Sequence, residues 1–329
     1  MPQINGLEVG PTGYGLMGFT WRPNPAPQEQ AFEAMRAALK NGCNFWNGGE
    51  FYGTPEYNSM TLLERYFTKY PEDAEKVVLS IKGASGPNGA QPDGSPEEIR
   101  CCLDNVLKQL NGRKKLDIFE CARRDPNTPM EVTFGVLQKE YIDTGKLGGI
   151  SLSEVRADTI HEAVKVAKIV AVEVELSLFS TDNLTNGVAA ACAQYGIPLI
   201  AYSPMSRGFL TGQIRKIDDL DQGDFRRFFP RFQPGNFELN VQLADHVIEL
   251  AKKKGCTAAQ LAINWVKAQS KRPGMPVIIP IPGATTAEKV TENSVEIELS
   301  DAELKEIDEM LSKFDVQGGR YPAQIPHNT

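Results

Sequence analysis

The chain has 329 residues, 41% of them hydrophobic and 23% charged, and its formal net charge at pH 7 is -7. Such a composition is typical of a globular protein that buries a substantial core. The acidic balance argues against nucleic acid or an anionic membrane as the main partner. No apolar run approaches the roughly 20 residues of a membrane-spanning helix, and the N-terminal sequence MPQINGLEVG lacks the pattern of a secretory signal. We therefore expect a cytoplasmic protein.

Histidine and cysteine patterns argue against several classes of site. The three histidines (His161, His246 and His327) are far apart, and none stands near cysteines or carboxylates at metal-ligand spacing. None follows a predicted strand, as the histidine base of a nucleophilic triad would. The six cysteines include no C-x-x-C pair and are typical of the reduced thiols of an intracellular protein. We therefore expect no bound metal.

The N-terminal region combines a hairpin signal with a glycine motif. Asn5-Gly6 lies between short apolar flanks, which is typical of a tight β-hairpin turn. The segment GYGLMG (13–18) matches the dinucleotide-binding pattern G-x-G-x-x-G, which requires a helix that starts inside the motif. Prolines at positions 23, 25 and 27 argue against an immediate helix. We therefore interpret the motif as a first strand rather than as a Rossmann fingerprint.

Short apolar strands and helices then alternate along the chain. Eight strands, each followed by a helix, fit a (β/α)8 TIM barrel in number and order, and a doubly wound sheet is the alternative. No linker or break in composition is visible, so we predict one domain over residues 1–329, with an N-terminal β-hairpin and a C-terminal helix. After the strand near 13–18, the predicted strands cover 43–46, 77–81, 116–121, 149–152, 170–176, 198–202 and 277–279. The predicted helices cover 28–40, 60–68, 96–110, 129–143, 157–167, 186–195, 241–254, 258–268, 286–293 and 301–313, with a long loop over 206–237.

Two polar side chains stand at the ends of neighbouring predicted strands, where the active-site groups of such barrels lie. Tyr52 follows the second strand within NGGEFYG, whose glycines allow tight turns, and Lys82 ends the third strand. A tyrosine hydroxyl has a pKa of about 10, and a nearby ammonium group favours the phenolate and lowers that pKa. We expect Lys82 to make Tyr52 a usable general acid. Taken singly, each would be an ordinary packed tyrosine or surface lysine.

These motifs resemble the aldo-keto reductases over nearly the whole chain. The matching segments are the hairpin, NFWNGGEFYG (44–53), the S-x-K of the third strand, LDIFECARRDP (116–126) and IPIPGATT (279–286) with a following E-N. The resemblance implies a nicotinamide-dependent (β/α)8 barrel that reduces carbonyls by hydride transfer, with a tyrosine as proton donor. In the family's tetrad of aspartate, tyrosine, lysine and histidine, Tyr52 and Lys82 match, whereas Asn47 and Ala122 replace the aspartate and the histidine.

The two replacements change the chemistry that the resemblance implies. Asn47 cannot form an ion pair, so Lys82 is expected to lack a carboxylate partner and to act more strongly on Tyr52. Ala122 removes a hydrogen-bond donor for the carbonyl oxygen. Together with GLMGFTWRP (15–23), these replacements resemble the pyridoxal reductases of fungi, which implies reduction of the aldehyde pyridoxal to pyridoxine. We hypothesise that the ring hydroxyl of such a substrate takes over part of the missing donor's role.

The resemblance also implies a cofactor site. Ser153 and Glu154 match the Ser-Asn pair that holds the nicotinamide amide, and Glu173 occupies a position that is usually glutamine. Tyr202 matches the residue that stacks on the nicotinamide. Lys289 stands where the family often has an arginine facing the 2′-phosphate, so NADPH/NADP+ is expected rather than NADH. The other residues assigned to the cofactor are Ser203, Pro204, Met205, Arg207 and Gly208 along the pyrophosphate, and Gly283, Ala284, Thr285, Thr286 and Asn293 at the adenosine end.

Trp21, Phe51, Ala122 and Arg123 are predicted to shape the substrate pocket. The segment DFRRFFPRF (224–232) interleaves cations with aromatics, as single-strand nucleic-acid binders do. It also resembles the loop that lies across the cofactor in this family, and we favour that interpretation. Two alternatives stay open: a general aldehyde/ketone reductase of the same family, and a cofactor-binding regulatory subunit without significant catalysis. The sequence does not define an oligomeric state.

Overall fold

The predicted N-terminal hairpin is present. In the computed structural model, which describes residues 1–86 and 91–329, β1 (Gln3–Ile4) and β2 (Leu7–Glu8) pair antiparallel, with Ile4 opposite Leu7. Asn5 and Gly6 have φ angles of 50° and 79°, and a two-residue turn of this kind requires such left-handed values at both central positions. Ile4 is fully buried, whereas its cross-strand partner Leu7 is exposed, so the hairpin packs against the protein through β1.

Eight parallel strands close into a barrel, which confirms the predicted fold. Neighbours in the sheet follow chain order from β3 to β10. The first and last strands meet where the N–H of Gly13 donates to the carbonyl of Pro280 (2.9 Å) and the N–H of Gly15 to that of Pro282 (3.2 Å). A doubly wound sheet would keep two free edges, so that alternative is wrong. The barrel strands are β3 (Tyr14–Gly15), β4 (Phe45–Gly49), β5 (Val78–Gly83), β6 (Leu116–Cys121), β7 (Leu147–Ser153), β8 (Ile169–Glu175), β9 (Leu199–Tyr202) and β10 (Ile278–Pro280).

Helices surround the barrel, and local capping explains where several begin. α3 follows Asn58, whose side chain accepts hydrogen bonds from the N–H groups of Met60 and Thr61. α4 follows Ser95 and has a proline at its first position, where no N–H partner is needed. The helices are α1 (Met17–Thr20), α2 (Gln28–Lys40), α3 (Ser59–Lys69), α4 (Pro96–Leu110), α5 (Met130–Val136), α6 (Ala157–Val166), α7 (Val188–Tyr195), α8 (Asn236–Lys254), α9 (Ala258–Ala268), α10 (Ala287–Asn293) and α11 (Asp301–Leu311). Residues Leu137–Ile142 continue α5 as a π-helical turn.

A one-turn helix, α1, does begin inside the GYGLMG motif, contrary to the prediction. It ends at Thr20, before the three prolines, and it follows a barrel strand. The rejection of a Rossmann unit therefore stands, although the absence of a helix was the wrong reason for it.

The long loop predicted over 206–237 is shorter and more ordered than expected. It contains 3-10 turns at Ser206–Thr211, Ile217–Asp219, Phe225–Phe228 and Pro230–Phe232, and α8 begins at Asn236 rather than near 241. The side chain of Glu238 accepts from the N–H of Gly235 (2.7 Å), which caps the helix start. Buried Asn240 donates to the carbonyls of Arg231 and Gln317. These tertiary contacts stabilise the start of α8, where asparagines give the sequence a weak helix propensity.

The barrel interior is apolar at one end and polar at the other. Alternate residues of a strand face the same side, so the inward-facing residues of a strand are two positions apart. Along a strand these inward residues change from apolar to polar. On β4 the change is from Phe45 to Asn47, and on β6 from Ile118 to Glu120. The polar end is the C-terminal end, where barrels carry their active sites. The apolar layer packs with Ile4 and Val9 of the N-terminal segment and comprises Phe45, Val78, Ile118, Val170, Ala171, Ile200, Ile279 and Ile281.

The segment after α11, which we call the C-terminal tail (312–329), reaches the polar end of the barrel. The N–H of Arg156 donates to the carbonyl of Thr329 (3.0 Å), and the N–H of Thr329 donates to that of Glu154 (2.9 Å). The predicted C-terminal helix is confirmed as α11, but nothing in the sequence indicated that the tail covers the mouth of the barrel.

No helix within residues 1–86 and 91–329 is long and apolar enough to cross a membrane.

Candidate active site

Tyr52 lies directly after β4, at the polar end of the barrel. Two glycines make its position possible. A Cβ on Gly49 would lie 2.8 Å from the Tyr52 ring, and a Cβ on Gly53 would lie 2.3 Å from the carbonyl oxygen of Tyr57. Gly53 also has a φ of 125°, which other residues rarely adopt. The Tyr52 ring stacks on Trp21 with a centroid separation of 5.0 Å and is 9% exposed.

Lys82 is the second-last residue of the neighbouring strand β5, and its ammonium group is buried among polar side chains. Its Nζ lies 2.9 Å from Oε1 of Glu120 and 2.6 Å from Oε1 of Glu173. Nδ2 of Asn47 donates to the same two carboxylates, at 3.1 Å and 2.6 Å. Ser151 donates to the other oxygen of Glu120 (3.3 Å). We call Asn47, Lys82, Glu120 and Glu173 the buried charge cluster.

The expectation that Lys82 lacks a carboxylate partner is therefore wrong. Glu173 is predicted to belong to the cofactor site, and in the structure its carboxylate contacts Lys82 and Asn47. Glu120 is a residue that sequence reasoning missed, although it is an inward position of β6 and lies opposite Lys82 in the strand register. A glutamate in an otherwise apolar strand is a usable signal, because buried carboxylates almost always have a partner.

The buried charge cluster also changes the expected pKa of Tyr52. Burial raises that pKa, Lys82 lowers it, and Glu173 and Glu120 raise it, so that it reaches about 12. The expected net lowering is therefore wrong, because burial outweighs the ammonium group. Burial alone would lower the pKa of Lys82, but attraction to Glu120 and Glu173 raises it above its ordinary value. At neutral pH the protein thus presents a protonated Tyr52 and a charged Lys82.

A second group of charged residues joins the C-terminal tail to the mouth of the barrel. The guanidinium of Arg320 donates to both oxygens of Glu154 (3.1 Å and 2.9 Å) and lies 3.4 Å from Glu175. The Tyr202 hydroxyl donates to Glu154 (2.8 Å) and lies 2.7 Å from the Tyr321 hydroxyl. Burial opposes ionisation of Glu154, but Arg320 lowers its pKa to about 2. Glu154 is therefore an ionised anchor for the tail.

Aromatic rings line the mouth. Trp21 meets Phe51 edge to face at 5.8 Å and stacks on Phe225 at 5.9 Å. Phe229 lies 5.6 Å from Phe225 and 5.5 Å from Tyr321 of the tail. These rings form one side of the mouth, which we call the aromatic wall, and such a surface suits stacking of a flat molecule.

Ala122 is buried at the end of β6 and supplies no side-chain donor. Its neighbour Arg123 donates to the carbonyls of Ala122 and Pro326. The Arg123 guanidinium lies 5.3 Å from the centre of the Tyr321 ring. In this arrangement Arg123 holds the C-terminal tail.

Within residues 1–86 and 91–329, no group of His, Cys, Asp and Glu side chains could hold a metal ion.

Comparison with known proteins identifies the family. The model for the aldo/keto reductase family matches residues 11–312. The chain belongs to the aldo/keto reductase family. It is 43% identical to a Schizosaccharomyces pombe protein named Probable pyridoxal reductase 2, with 99% of this chain and 98% of that protein aligned. It is also 34% identical to an aldo-keto reductase of the same yeast whose name specifies NADP(+), over 97% of this chain and 94% of that protein.

A solved structure agrees on the fold of this aldo/keto reductase. The glycerol dehydrogenase of Gluconobacter oxydans superposes with a TM-score of 0.80, at 22% identity and over 95% of each chain. At that identity the similarity concerns the fold alone. Family membership makes the protein an oxidoreductase.

One cofactor residue predicted for this aldo/keto reductase has an unsatisfied polar atom. Ser153 is 2% exposed, and its Oγ has no hydrogen-bond partner within residues 1–86 and 91–329. Buried polar atoms are normally paired, so a free hydroxyl here fits a missing polar ligand such as the nicotinamide amide. The oxygens of Glu154, by contrast, already accept bonds from Arg320 and Tyr202. An amide would have to share these fully buried oxygens, so that role of Glu154 stays a prediction.

The turn after β9 has the backbone strain that is typical of binding sites. Ser203, Ser206 and Arg207 have φ angles of 53°, 50° and 57°, followed by Gly208 at 104°. Pro204 is buried, and Met205 is half-buried beside it. The Arg207 side chain lies 3.0 Å from Glu175. The assignment of this turn to a pyrophosphate stays a prediction.

The residues assigned to the adenosine end lie in the segment before α10 and on α10 itself. The side chain of Thr286 caps this helix by accepting from the N–H of Lys289 (3.3 Å). Lys289 is exposed, and its Nζ lies 3.6 Å from Glu292, which would compete with a 2′-phosphate for that charge. The others are Gly283, which forms a bridge with Gly15, Ala284 and Thr285, which are half-buried, and Asn293, which is buried.

The segment 224–232 packs against the mouth. Arg226 pairs with Asp224 (2.6 Å), Arg231 lies 3.5 Å from Glu175, and Phe228 is 73% exposed. Because these two arginines are paired within the protein, the segment differs from a free cationic groove for single-stranded nucleic acid. A lid over the cofactor stays our prediction for it.

Proposed function

We propose that this aldo/keto reductase reduces an aldehyde with NADPH, and that its substrate is pyridoxal, which becomes pyridoxine. The observation that carries the proposal is the juxtaposition of Tyr52 and Lys82 at the ends of adjacent strands, in a barrel of this family. Retention of both residues favours an enzyme over a regulatory subunit that only binds the cofactor.

Tyr52 is the proton donor in this proposal. Its pKa of about 12 keeps it protonated at neutral pH, so a proton is available for the carbonyl oxygen. Loss of that proton leaves a phenolate, and the ammonium group of Lys82 stabilises this charge. A bound nicotinamide would supply the hydride that the aldehyde carbon receives.

We assign the nicotinamide amide to Ser153, whose buried hydroxyl lacks a partner. Tyr202 and the turn over 203–208 are assigned to the nicotinamide ring and the pyrophosphate, and Lys289 to the 2′-phosphate. The relative whose name specifies NADP(+) supports NADPH over NADH. Titration of both cofactors at low and high salt tests this assignment, because a 2′-phosphate contact loses affinity as salt rises.

Pyridoxal is favoured for two reasons. The aromatic wall offers stacking partners to a flat pyridine ring. The relative that is 43% identical over almost the whole chain is named as a pyridoxal reductase. All six cysteines are free thiols, which supports the proposal that the enzyme works in the cytoplasm.

The decisive experiment follows NADPH consumption after addition of pyridoxal. We expect turnover by the wild type, a loss of about 10²- to 10⁴-fold in kcat for Tyr52→Phe, and no change for the control Tyr57→Phe. Equal kcat/KM for pyridoxal and benzaldehyde would favour a general aldehyde reductase. NADPH binding without turnover of any aldehyde would favour a regulatory subunit.

The substrate's ring hydroxyl has its own test. If it replaces the donor that Ala122 lacks, the analogue without this hydroxyl should show a lower kcat than pyridoxal. Equal rates for the two compounds would contradict the idea.

A further inference from the structure

The buried charge cluster holds two carboxylates around a single ammonium group. Glu120, Glu173 and Lys82 have side chains that are at most 6% exposed. Fully ionised, the three groups would carry one net negative charge, and burial together with repulsion by Glu120 raises the pKa of Glu173 to about 8. Carboxylates in such a place repel each other, and each loses hydration, so they persist only with attractive partners. Lys82 and Asn47 contact both carboxylates, and Ser151 also donates to Glu120.

Asn47 is suited to this place because it is a donor without charge. Its Nδ2 has two N–H groups, and these reach Glu120 and Glu173. The reverse amide orientation would direct an oxygen at two carboxylates, so the network itself determines the orientation. An aspartate at position 47 would offer no donor and would add a third carboxylate to the same buried place. The neutral donor Asn47 is therefore compatible with the two carboxylates of Glu120 and Glu173, whereas an aspartate at the same position is not.

We propose that Glu120 and Glu173 are positioning residues for Lys82, replacing an aspartate at position 47, and that Asn47 is the neutral bridge that lets both carboxylates stay. In this chain the charge partners of the lysine lie on β6 and β8, whereas the resemblance implies an aspartate at the position of Asn47 on β4. The inference rests on the proposed function, because the purpose of holding Lys82 is its action on Tyr52.

The strand register explains how the exchange is possible. Lys82 and Glu120 are direct register partners on β5 and β6. Asn47 lies opposite Ser80, which is two residues before Lys82 and therefore faces the same side of the sheet. Carboxylates on β4, β6 or β8 can thus all reach the lysine from inside the barrel.

The test compares four proteins: wild type, Asn47→Asp, the double variant Glu120→Gln/Glu173→Gln, and the triple variant that combines these three changes. In the wild-type background, Asn47→Asp should lower the Tm and kcat, because a third carboxylate joins one ammonium group. The double variant leaves Lys82 without a carboxylate, and we expect its kcat to fall about 10²-fold with KM for the aldehyde nearly unchanged. In this background Asn47→Asp should act in the opposite direction, raising the Tm and restoring at least about tenfold of kcat.

We therefore predict that Asn47→Asp lowers the Tm and kcat in the wild-type background and raises both in the double-variant background. If Asn47→Asp lowers the Tm in both backgrounds, the proposal is overturned. If it restores the Tm but not kcat, the carboxylates serve stability alone and their positioning role is overturned. Should the double variant fail to fold, the single variants Glu120→Gln and Glu173→Gln, each with and without Asn47→Asp, make the same comparison.

Glu50 provides a matched control. It follows β4, and its carboxylate accepts from Asn105 (2.7 Å) and Cys102 (3.3 Å) instead of Lys82. Glu50→Gln should leave kcat and the sign of the Asn47→Asp effect unchanged. The Tm comparison needs no substrate. If the wild type reduces no aldehyde, the proposed function fails, while the sign change in Tm still decides whether Glu120 and Glu173 replace the aspartate.

Discussion

Ser153 and Ser151 occupy alternate positions of β7, and they differ in one respect that can be measured. The Ser153 hydroxyl has no hydrogen-bond partner in the part of the chain that the structure describes, whereas that of Ser151 lies 3.0 Å from the carbonyl of Ala171 and 3.3 Å from Glu120. We expect Ser153→Ala to leave the free energy of unfolding unchanged and to weaken NADPH binding about 2- to 10-fold, which corresponds to one hydrogen bond. Fluorescence titration and urea unfolding measure the two effects.

Ser151→Ala is the control with the opposite pattern. It should cost about 1 kcal/mol of stability because it leaves buried acceptors unpaired. If Ser153→Ala lowers stability and leaves cofactor affinity intact, its hydroxyl is not part of the cofactor site.

Tyr52 should ionise at a higher pH than an ordinary tyrosine. Its pKa is raised to about 12 by burial, an effect that Lys82 only partly offsets. The difference in tyrosinate absorbance between the wild type and Tyr52→Phe should therefore stay near zero below roughly pH 11, and in urea it should appear near pH 10. A folded-state transition near pH 10 would contradict the predicted environment.

At the scale of elements, the C-terminal tail depends on the pair between Arg320 and Glu154. Arg320→Met leaves a buried carboxylate without its main partner, so we expect a loss of about 3 to 5 kcal/mol of stability near pH 7. In the wild type the pKa of Glu154 is lowered to about 2, so its contribution is present above the unfolded value of about 4.3 and is lost as pH falls towards 2. The gap between variant and wild type should therefore narrow below about pH 5.

Urea unfolding from pH 7 down to about pH 3 measures this gap. The control is Arg215→Met, which breaks an exposed pair with Asp245 and should cost less than about 1 kcal/mol. A gap between Arg320→Met and wild type that stays constant with pH would show that Glu154 is not the group that Arg320 stabilises.

At the scale of the whole molecule, the N-terminal hairpin closes the apolar end of the barrel. Ile4 is fully buried in the interior layer, and Leu7, opposite it in the hairpin, is 41% exposed. Ile4→Ala should cost about 2 to 5 kcal/mol, because it leaves a cavity where the barrel cannot collapse. Leu7→Ala should stay within about 0.5 kcal/mol. Equal effects in thermal unfolding would mean that the hairpin does not support the barrel interior.

Most of the barrel could be predicted from the sequence. Alternation of apolar strands with capped helices, the Asn5-Gly6 turn and the lack of a linker are local signals, and each reports on neighbours in the chain. The placement of Tyr52 and Lys82 at the mouth followed from the same logic, because strand ends of a parallel barrel share one face. The resemblance to the aldo/keto reductases also rested on short sequence motifs, so the family could be predicted from local signals.

Only the tertiary structure decided which charged groups meet. Lys82 pairs with carboxylates 38 and 91 positions away, and Arg320 reaches across 166 positions to Glu154. The alternation of inward and outward residues along a strand shows that Glu120 and Glu173 face inward. The stagger of neighbouring strands determines which of the inward side chains touch each other. Burial of the Tyr52 hydroxyl raises its pKa by more than the neighbouring Lys82 lowers it, so the net effect is a raised pKa. The sequence by itself determined the barrel and its strand-end tyrosine, and the closure of the barrel determined the electrostatics around that tyrosine.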